Sequence, residues 1–245
     1  MTDTNPLFER THILVGDEGI ERLKNAHVLI AGMGGVGSFT AEALARMGVG
    51  KLTLVDHDVV SGSNINRQLI ALNSTIGIAK ADVMAQRILD INPNCQVTIL
   101  KEFLTPDSID ELVSSEFDVI VDAIDSMSSK AALIETAWKK KVAIFASMGA
   151  GGKLDPSMIR TSDIMDTSMC KLAKQLRRHL RRRHVGKGVQ AVYSIEAPMP
   201  ALPPEAVSHG RDRAVNGTTS YLPSIFGLTL AGMATNHIIG DARRV

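Results

Sequence analysis

The stretch Gly32-Met33-Gly34-Gly35-Val36-Gly37 constrains the fold of this chain more than any other feature. It follows the apolar run His27-Val28-Leu29-Ile30-Ala31, which reads as a buried strand. It opens a helical pattern over residues 38–47, with apolar Phe39, Ala43, Leu44 and Met47. Strand, G-x-G-x-x-G turn and helix in that order make the phosphate-binding start of a dinucleotide-type fold. Gly32 permits the tight turn, Gly34 lets backbone approach a phosphate or ribose, and Gly37 lets the helix settle on the strand. Free N–H groups at the helix start favour an anion.

The same alternation continues along the chain. Strands are predicted over Lys51–Val55, Gln96–Leu100, 117–123 and 142–146, with helices over 79–91 and 130–138 between them. Strands separated by helices imply a doubly wound, Rossmann-like α/β fold with a mostly parallel sheet and right-handed crossovers. Beyond residue 150 the character changes to a C-terminal extension. Residues 171–184 read as a basic helix and Gln190–Ser194 as a strand. Residues 197–213, carrying Pro198, Pro200, Pro203 and Pro204, read as an irregular loop. The last apolar segment, 221–239, is interrupted by Pro223, Gly227, Gly232, Asn236 and His237, so a buried helix is expected rather than a membrane span. Gly227 and Gly232 are expected to let that helix approach a neighbour.

Asp56 ends the second strand, placed to accept hydrogen bonds from ribose hydroxyls. The segment after it, Asp56-His57-Asp58-Val59-Val60-Ser61-Gly62-Ser63-Asn64-Ile65-Asn66-Arg67-Gln68, favours a triphosphate over a nicotinamide. Arg67 can fork onto phosphate oxygens, and Asn64 and Gln68 can orient phosphate or ribose. Lys80 adds a point charge at the start of the next helix. Asp122-Ala123-Ile124-Asp125 ends a core strand, where the ligand crevice of such a sheet lies. Asp122 is expected to be structural and Asp125 to be a Mg²⁺ ligand.

Composition narrows the class. Apolar residues make up 44% and charged residues 22%, an ordinary globular balance, and the net charge is +1. Nucleic-acid affinity therefore needs a local patch. Between Asp166 and Glu196 there is no acidic residue, while Lys171, Lys174, Arg177, Arg178, Arg181, Arg182, Arg183 and Lys187 are cationic. With charges expected on several faces, the basic helix suits contact with a polyanion, and Lys174, Arg177, Arg178, Arg181 and Arg182 are the RNA-contact candidates. Aromatic content of 4% argues against a broad base-stacking platform. Cys95 and Cys170 make neither a disulfide framework nor a CxxC zinc pair, which fits a reducing, cytoplasmic setting. Cys170, beside Lys171 and Lys174, is a minor nucleophile candidate. The first ten residues have no apolar stretch of signal-peptide type.

The G-x-G-G-x-G turn, the acidic segment ending in Asn64, Arg67 and Gln68, the following Lys80, and Asp122/Asp125 together resemble the ThiF/MoeB/HesA family of ubiquitin-activating-enzyme-like adenylating proteins. The resemblance implies a single adenylating domain over 1–245, with a nucleotide-binding core (1–150) and a substrate and dimer portion (151–245). It implies ATP and Mg²⁺ as cofactors, a homodimer, and a structural monovalent cation. It also implies that Arg10 of one subunit reaches the partner's ATP site, and that Gly35, Gly37 and Asp58 join the nucleotide-binding set. Segments 41–46, 91–95, 149–156, 194–197 and 223–227 are most similar to the branch acting on threonylcarbamoyladenosine beside the tRNA anticodon. That branch implies a tRNA substrate, a cyclised product and a link to a cysteine desulfurase system. The alternative within the family is activation of a sulfur-carrier protein's C-terminal glycine. A non-catalytic nucleotide-binding module and an NAD oxidoreductase rank below both, because Arg67, Lys80 and Asp125 fit phosphate chemistry and no hydride-transfer site is visible.

Overall fold

A computed structural model describes residues 6–200, 202–205, 213–215 and 217–242. Seven strands form one sheet in the order β3-β2-β1-β4-β5-β7-β6. They are β1 (His27–Ala31), β2 (Lys51–Val55), β3 (Gln96–Leu100), β4 (Val119–Asp122), β5 (Ala143–Ser147), β6 (Ile159–Asp163) and β7 (Gln190–Ser194). All pairings are parallel except β6 with β7. The strand order reverses between β1 and β4, which opens a ligand crevice at their carboxyl ends. The C-terminal portion contributes β6 and β7 to this same sheet.

Alternation along the central strands separates two cores. Val28, Ile30, Leu52, Leu54, Val119 and Val121 face one side, and Leu29, Ala31, Val55, Ile120, Ile144 and Ala146 face the other. Both sides are covered, so the strands read as continuous apolar runs. The first side carries α1 (Glu9–Asn25), α2 (Gly37–Met47), α3 (Lys80–Ile91) and α7 (Leu222–Ile239). The second carries α4 (Pro106–Leu112), α5 (Met127–Lys139) and α6 (Lys171–Arg182).

Several elements depart from the sequence expectation. Helix α1 carries no unbroken apolar stripe because Gly16 (φ 66°, ψ −173°) breaks it and turns it back. Phe8 therefore lies under the Lys24 ammonium, 5.0 Å from its ring centre. The edge strand β6 is polar and half-exposed, without a strong strand signal. The expected irregular loop 197–213 contains β8 (Leu202–Glu205), which pairs antiparallel with β9 (Arg213–Val215) starting at the loop's last residue. Half of α7's apolar window is buried, as suits a core helix. Of its two glycines, only Gly227 makes a close approach: a Cβ there would stand 2.3 Å from the Val36 carbonyl oxygen. Nothing lies within 4 Å of a Cβ on Gly232.

Candidate nucleotide site

The glycine turn joins β1 to α2 at the carboxyl edge of the sheet. Gly32 has φ +95°, and a Cβ at Gly37 would stand 1.7 Å from the Gly32 carbonyl oxygen. Neither position accepts a side chain without moving backbone. Asp56 leaves β2 beside the turn and accepts hydrogen bonds from Met33 N (2.6 Å) and Asp58 N (2.8 Å). Its carboxylate thus sets the shape of the turn and retains lone pairs for a ribose. Asp58 forms an ion pair with Lys80 (2.7 Å), whose side chain is almost wholly buried. Asp56, His57 and Asp58 offer ligand atoms within 4.8 Å of one another.

Residues 61–68 wrap over the turn. Asn64 is buried, and its side-chain oxygen accepts from Ser61 N (3.1 Å), so that oxygen caps a 3-10 turn. The same turn presents Arg67, whose carbonyl oxygen and Cγ would lie 3.2 and 3.4 Å from a Cβ on Gly35. Arg67 Nη1 donates to Ser63 O (2.8 Å) and Asn66 Oδ1 (3.0 Å), both neutral acceptors. Among the described residues no carboxylate pairs with it, and half-burial draws its pKa below the ordinary guanidinium value. A cation so desolvated favours an anionic ligand. Gln68 is buried, its Oε1 has no hydrogen-bond partner, and its Nε2 would lie 3.7 Å from a Cβ on Gly34. An orphaned amide beside a glycine cradle and an unpaired arginine fit a nucleotide phosphate or ribose. The C-terminal portion closes this edge: Asn66 Nδ2 donates to Thr218 O (3.2 Å), and Pro223 packs at Gly35.

The loop after β4 lies on the other side of the turn. Asp122 is fully buried against Lys130 (2.6 Å). Burial pushes its carboxyl up, while the ammonium opposes that shift. Asp125, two residues beyond Ala123, is exposed at the crevice. Hard oxygen donors of this kind suit Mg²⁺, which needs one or two carboxylates beside phosphate oxygens.

Arg10 stands apart from this group. Phe8 seats against Gly48 at the far end of α2, so the chain's own glycine turn lies about 16 Å from that region along the helix. Cys170 is buried at the start of α6, whereas its neighbours Lys171 and Lys174 are exposed. A buried thiol does not present a nucleophile to the crevice. Lys153 donates to Gly149 O and Ser194 O, both at 3.2 Å, and so ties the exits of β5 and β7.

Helix α6 differs from the expectation of charge on several faces. Ala173, Leu176 and Leu180 form a buried stripe, and Lys174, Arg178, Arg181 and Arg182 point outward. Arg177 does not join them: its guanidinium is held by Thr167 Oγ1 and lies 3.5 Å from Ile164 O. His209 and Arg211, candidates in the proline-rich loop to approach the substrate, lie outside the described residues.

The model of the ThiF family matches residues 8–244. The chain belongs to the ThiF family. This ThiF-family chain is 39% identical over 241 residues to the tRNA threonylcarbamoyladenosine dehydratase of Bacillus subtilis, covering 96% of this chain and 95% of that one. It is 43% identical over 197 residues to the enzyme of that name from Escherichia coli, covering 78% and 74%. The solved Escherichia coli tRNA N6-threonylcarbamoyladenosine dehydratase, TcdA, in complex with ATP matches with a TM-score of 0.86 at 37% identity, covering 96% and 94% of the two chains. This chain also has a cavity of about 370 Å³ at the opposite, amino-terminal edge of the sheet, lined by Trp138, Lys141, Gly188 and His237 among others. None of the nucleotide candidates borders it.

Proposed function

We propose that this chain is an ATP-dependent dehydratase that cyclises threonylcarbamoyladenosine beside the tRNA anticodon. The observation that carries the ATP site is Arg67: a half-buried cation with neutral neighbours, beside a side-chain-free turn and the orphaned Gln68 oxygen. The substrate assignment is supported by similarity to dehydratases over nearly the whole chain, C-terminal portion included. That favours it over a sulfur-carrier substrate.

A carboxylate is a poor electrophile. Attack of the threonyl carboxylate oxygen on the α-phosphorus of ATP forms an acyl-adenylate and breaks the bond to pyrophosphate. A ureido nitrogen of the same nucleotide then attacks the acyl carbon, loses its proton and expels AMP. Holding both groups in one bound nucleotide makes closure effectively unimolecular. The N–H groups of the glycine turn and Arg67 bind the phosphates, Asp56 holds the ribose, and Lys80 exchanges Asp58 for phosphate oxygens as charge develops there. Asp125 would hold Mg²⁺, which would supply neutralisation of phosphate charge.

The core 1–150 supplies this nucleotide site, and 151–245 serves substrate binding and assembly. The outward cations Lys174, Arg178, Arg181 and Arg182 contact the tRNA backbone. The protein acts as a homodimer in which Arg10 reaches the partner's site, consistent with its distance from its own turn. Exposed Val59, Ile65, Leu72, Ile76 and Ile78 supply an apolar surface for that assembly. The test is mass spectrometry of nucleosides after incubation with ATP, Mg²⁺ and tRNA bearing threonylcarbamoyladenosine. Loss of one water, dependent on ATP and Arg67, is expected, and an unchanged nucleoside overturns the reading. Mixing Arg10→Ala and Arg67→Ala subunits, each inactive alone, is expected to restore part of the activity if Arg10 acts across the dimer.

A further inference from the structure

Lys130 is among the largest fully buried side chains of the described residues. Its Nζ donates to Asp122 Oδ2 (2.6 Å) and to Ser147 O (3.0 Å), which joins the carboxyl ends of β4 and β5. The other oxygen of Asp122 accepts from Ile124 N (3.1 Å) and so fixes the first turn of the loop that carries Asp125. The same loop bears on the glycine turn. Ala123 O would lie 2.7 Å from a Cβ on Gly32, and Ala123 Cβ would lie 3.3 Å from one on Gly37.

From this geometry we propose that Lys130 is a positioning residue for the nucleotide site. It acts through Asp122, which sets the loop bearing Asp125 and braces both ends of the glycine turn. The inference rests on the ATP reading above. A buried ion pair is a poor device for stability alone, because an apolar pair of similar volume does as well or better. Its advantage is directional. The ammonium and the carboxylate meet each other and two backbone groups, Ser147 O and Ile124 N, at fixed angles, where parallel strands end and loops would otherwise drift. Placement of catalytic groups to within a fraction of an ångström depends on such supporting contacts.

The experiment compares the full-length wild type with Lys130→Met, the double variant Asp122→Asn/Lys130→Met, and Lys139→Met as an exposed control on the same helix. Thermal unfolding, ATP affinity by calorimetry and tRNA dehydration by mass spectrometry are measured on each. Lys130→Met leaves a buried carboxylate unpaired and is expected to lose much of its stability. The double variant removes that charge and keeps an acceptor for Ile124 N, so it is expected to fold. Its kcat per folded molecule is expected to fall about 10²-fold, the cost of misplacing groups by about an ångström, with ATP affinity changed less. Lys139→Met is expected to match wild type. A double variant with wild-type kcat per folded molecule, whatever its melting temperature, overturns the proposal. A wild type that binds no ATP overturns the nucleotide reading beneath it, whereas a wild type that binds ATP but leaves the tRNA unchanged overturns only the substrate.

Discussion

The buried lysines at the carboxyl edge of the sheet and the exposed cations of α6 carry the same charge to opposite ends. Lys80, Lys130 and Lys153 each meet fixed acceptors: Asp58 at 2.7 Å, Asp122 at 2.6 Å, and Gly149 O with Ser194 O at 3.2 Å. They act over one bond length in a poorly screened interior. Lys174, Arg178, Arg181 and Arg182 stand in solvent and act over a Debye length, roughly 10 Å at moderate salt. The first group fixes the carboxyl edge of the sheet, and in the function proposed above the second attracts a polyanion. Arg177 belongs by position to the second group and by contacts to the first.

The largest effect is expected at the glycine turn. Gly37→Ala forces a Cβ to 1.7 Å from a carbonyl oxygen and is expected to cost about 3 kcal/mol and abolish ATP binding, read by thermal unfolding and calorimetry. Arg67→Ala, which removes the proposed phosphate ligand and leaves the turn intact, is expected to lower kcat about 10²- to 10³-fold with little change in melting temperature. On α6, Arg178→Ala and Arg181→Ala are each expected to reduce the salt slope of tRNA binding by about 1 without altering ATP affinity. Arg177→Ala is expected to do the reverse: about 1 kcal/mol of stability lost with its hydrogen bonds, and the salt slope unchanged. A salt slope that drops equally in all three variants erases the distinction.

The smallest effect tests an ion pair between these extremes. Glu42, on α2, has a side chain only 12% exposed and pairs with Arg46 on its own helix and Arg87 on α3. Burial pushes its carboxyl up, but hydrogen bonds from Arg87 and Arg46 outweigh this and hold it below the ordinary value of 4.5. Its stabilisation is therefore complete above pH 4.5 and fades as pH falls through the lower folded value. Glu42→Gln is expected to cost less than about 1 kcal/mol near neutrality. The difference from wild type, followed by denaturant unfolding, is expected to vanish in acid.

Much of the fold was legible because period and punctuation agree locally. β1, β2, β3 and β7 span the residues that their apolar runs predict. The glycine turn lies between a strand and a helix, as its spacing requires. β6 escaped because an edge strand needs few apolar residues, and α1 escaped because Gly16 breaks its stripe. Residue type after a glycine turn drew attention to Asp56 and Arg67, and the fold brings both beside that turn. The partners of Lys130 and Lys153 were not, because a lysine in sequence looks the same whether it ends in water or in a buried carboxylate.

The sequence by itself determined the parallel sheet, the placement of the glycine turn and the cationic character of α6, since these follow from short-range pattern and steric demand. Tertiary structure alone decided which cations serve which task. Burial and pairing depend on residues distant in the chain: Asp58 with Lys80, Lys153 with Ser194, Gly227 on Val36. It also placed Arg10 away from its own turn, because the return at Gly16 and the seat of Phe8 on Gly48 fix where that helix begins. Close approach of distant segments sets the local dielectric and the available partners, and those decide whether a charge shapes a site or attracts a ligand.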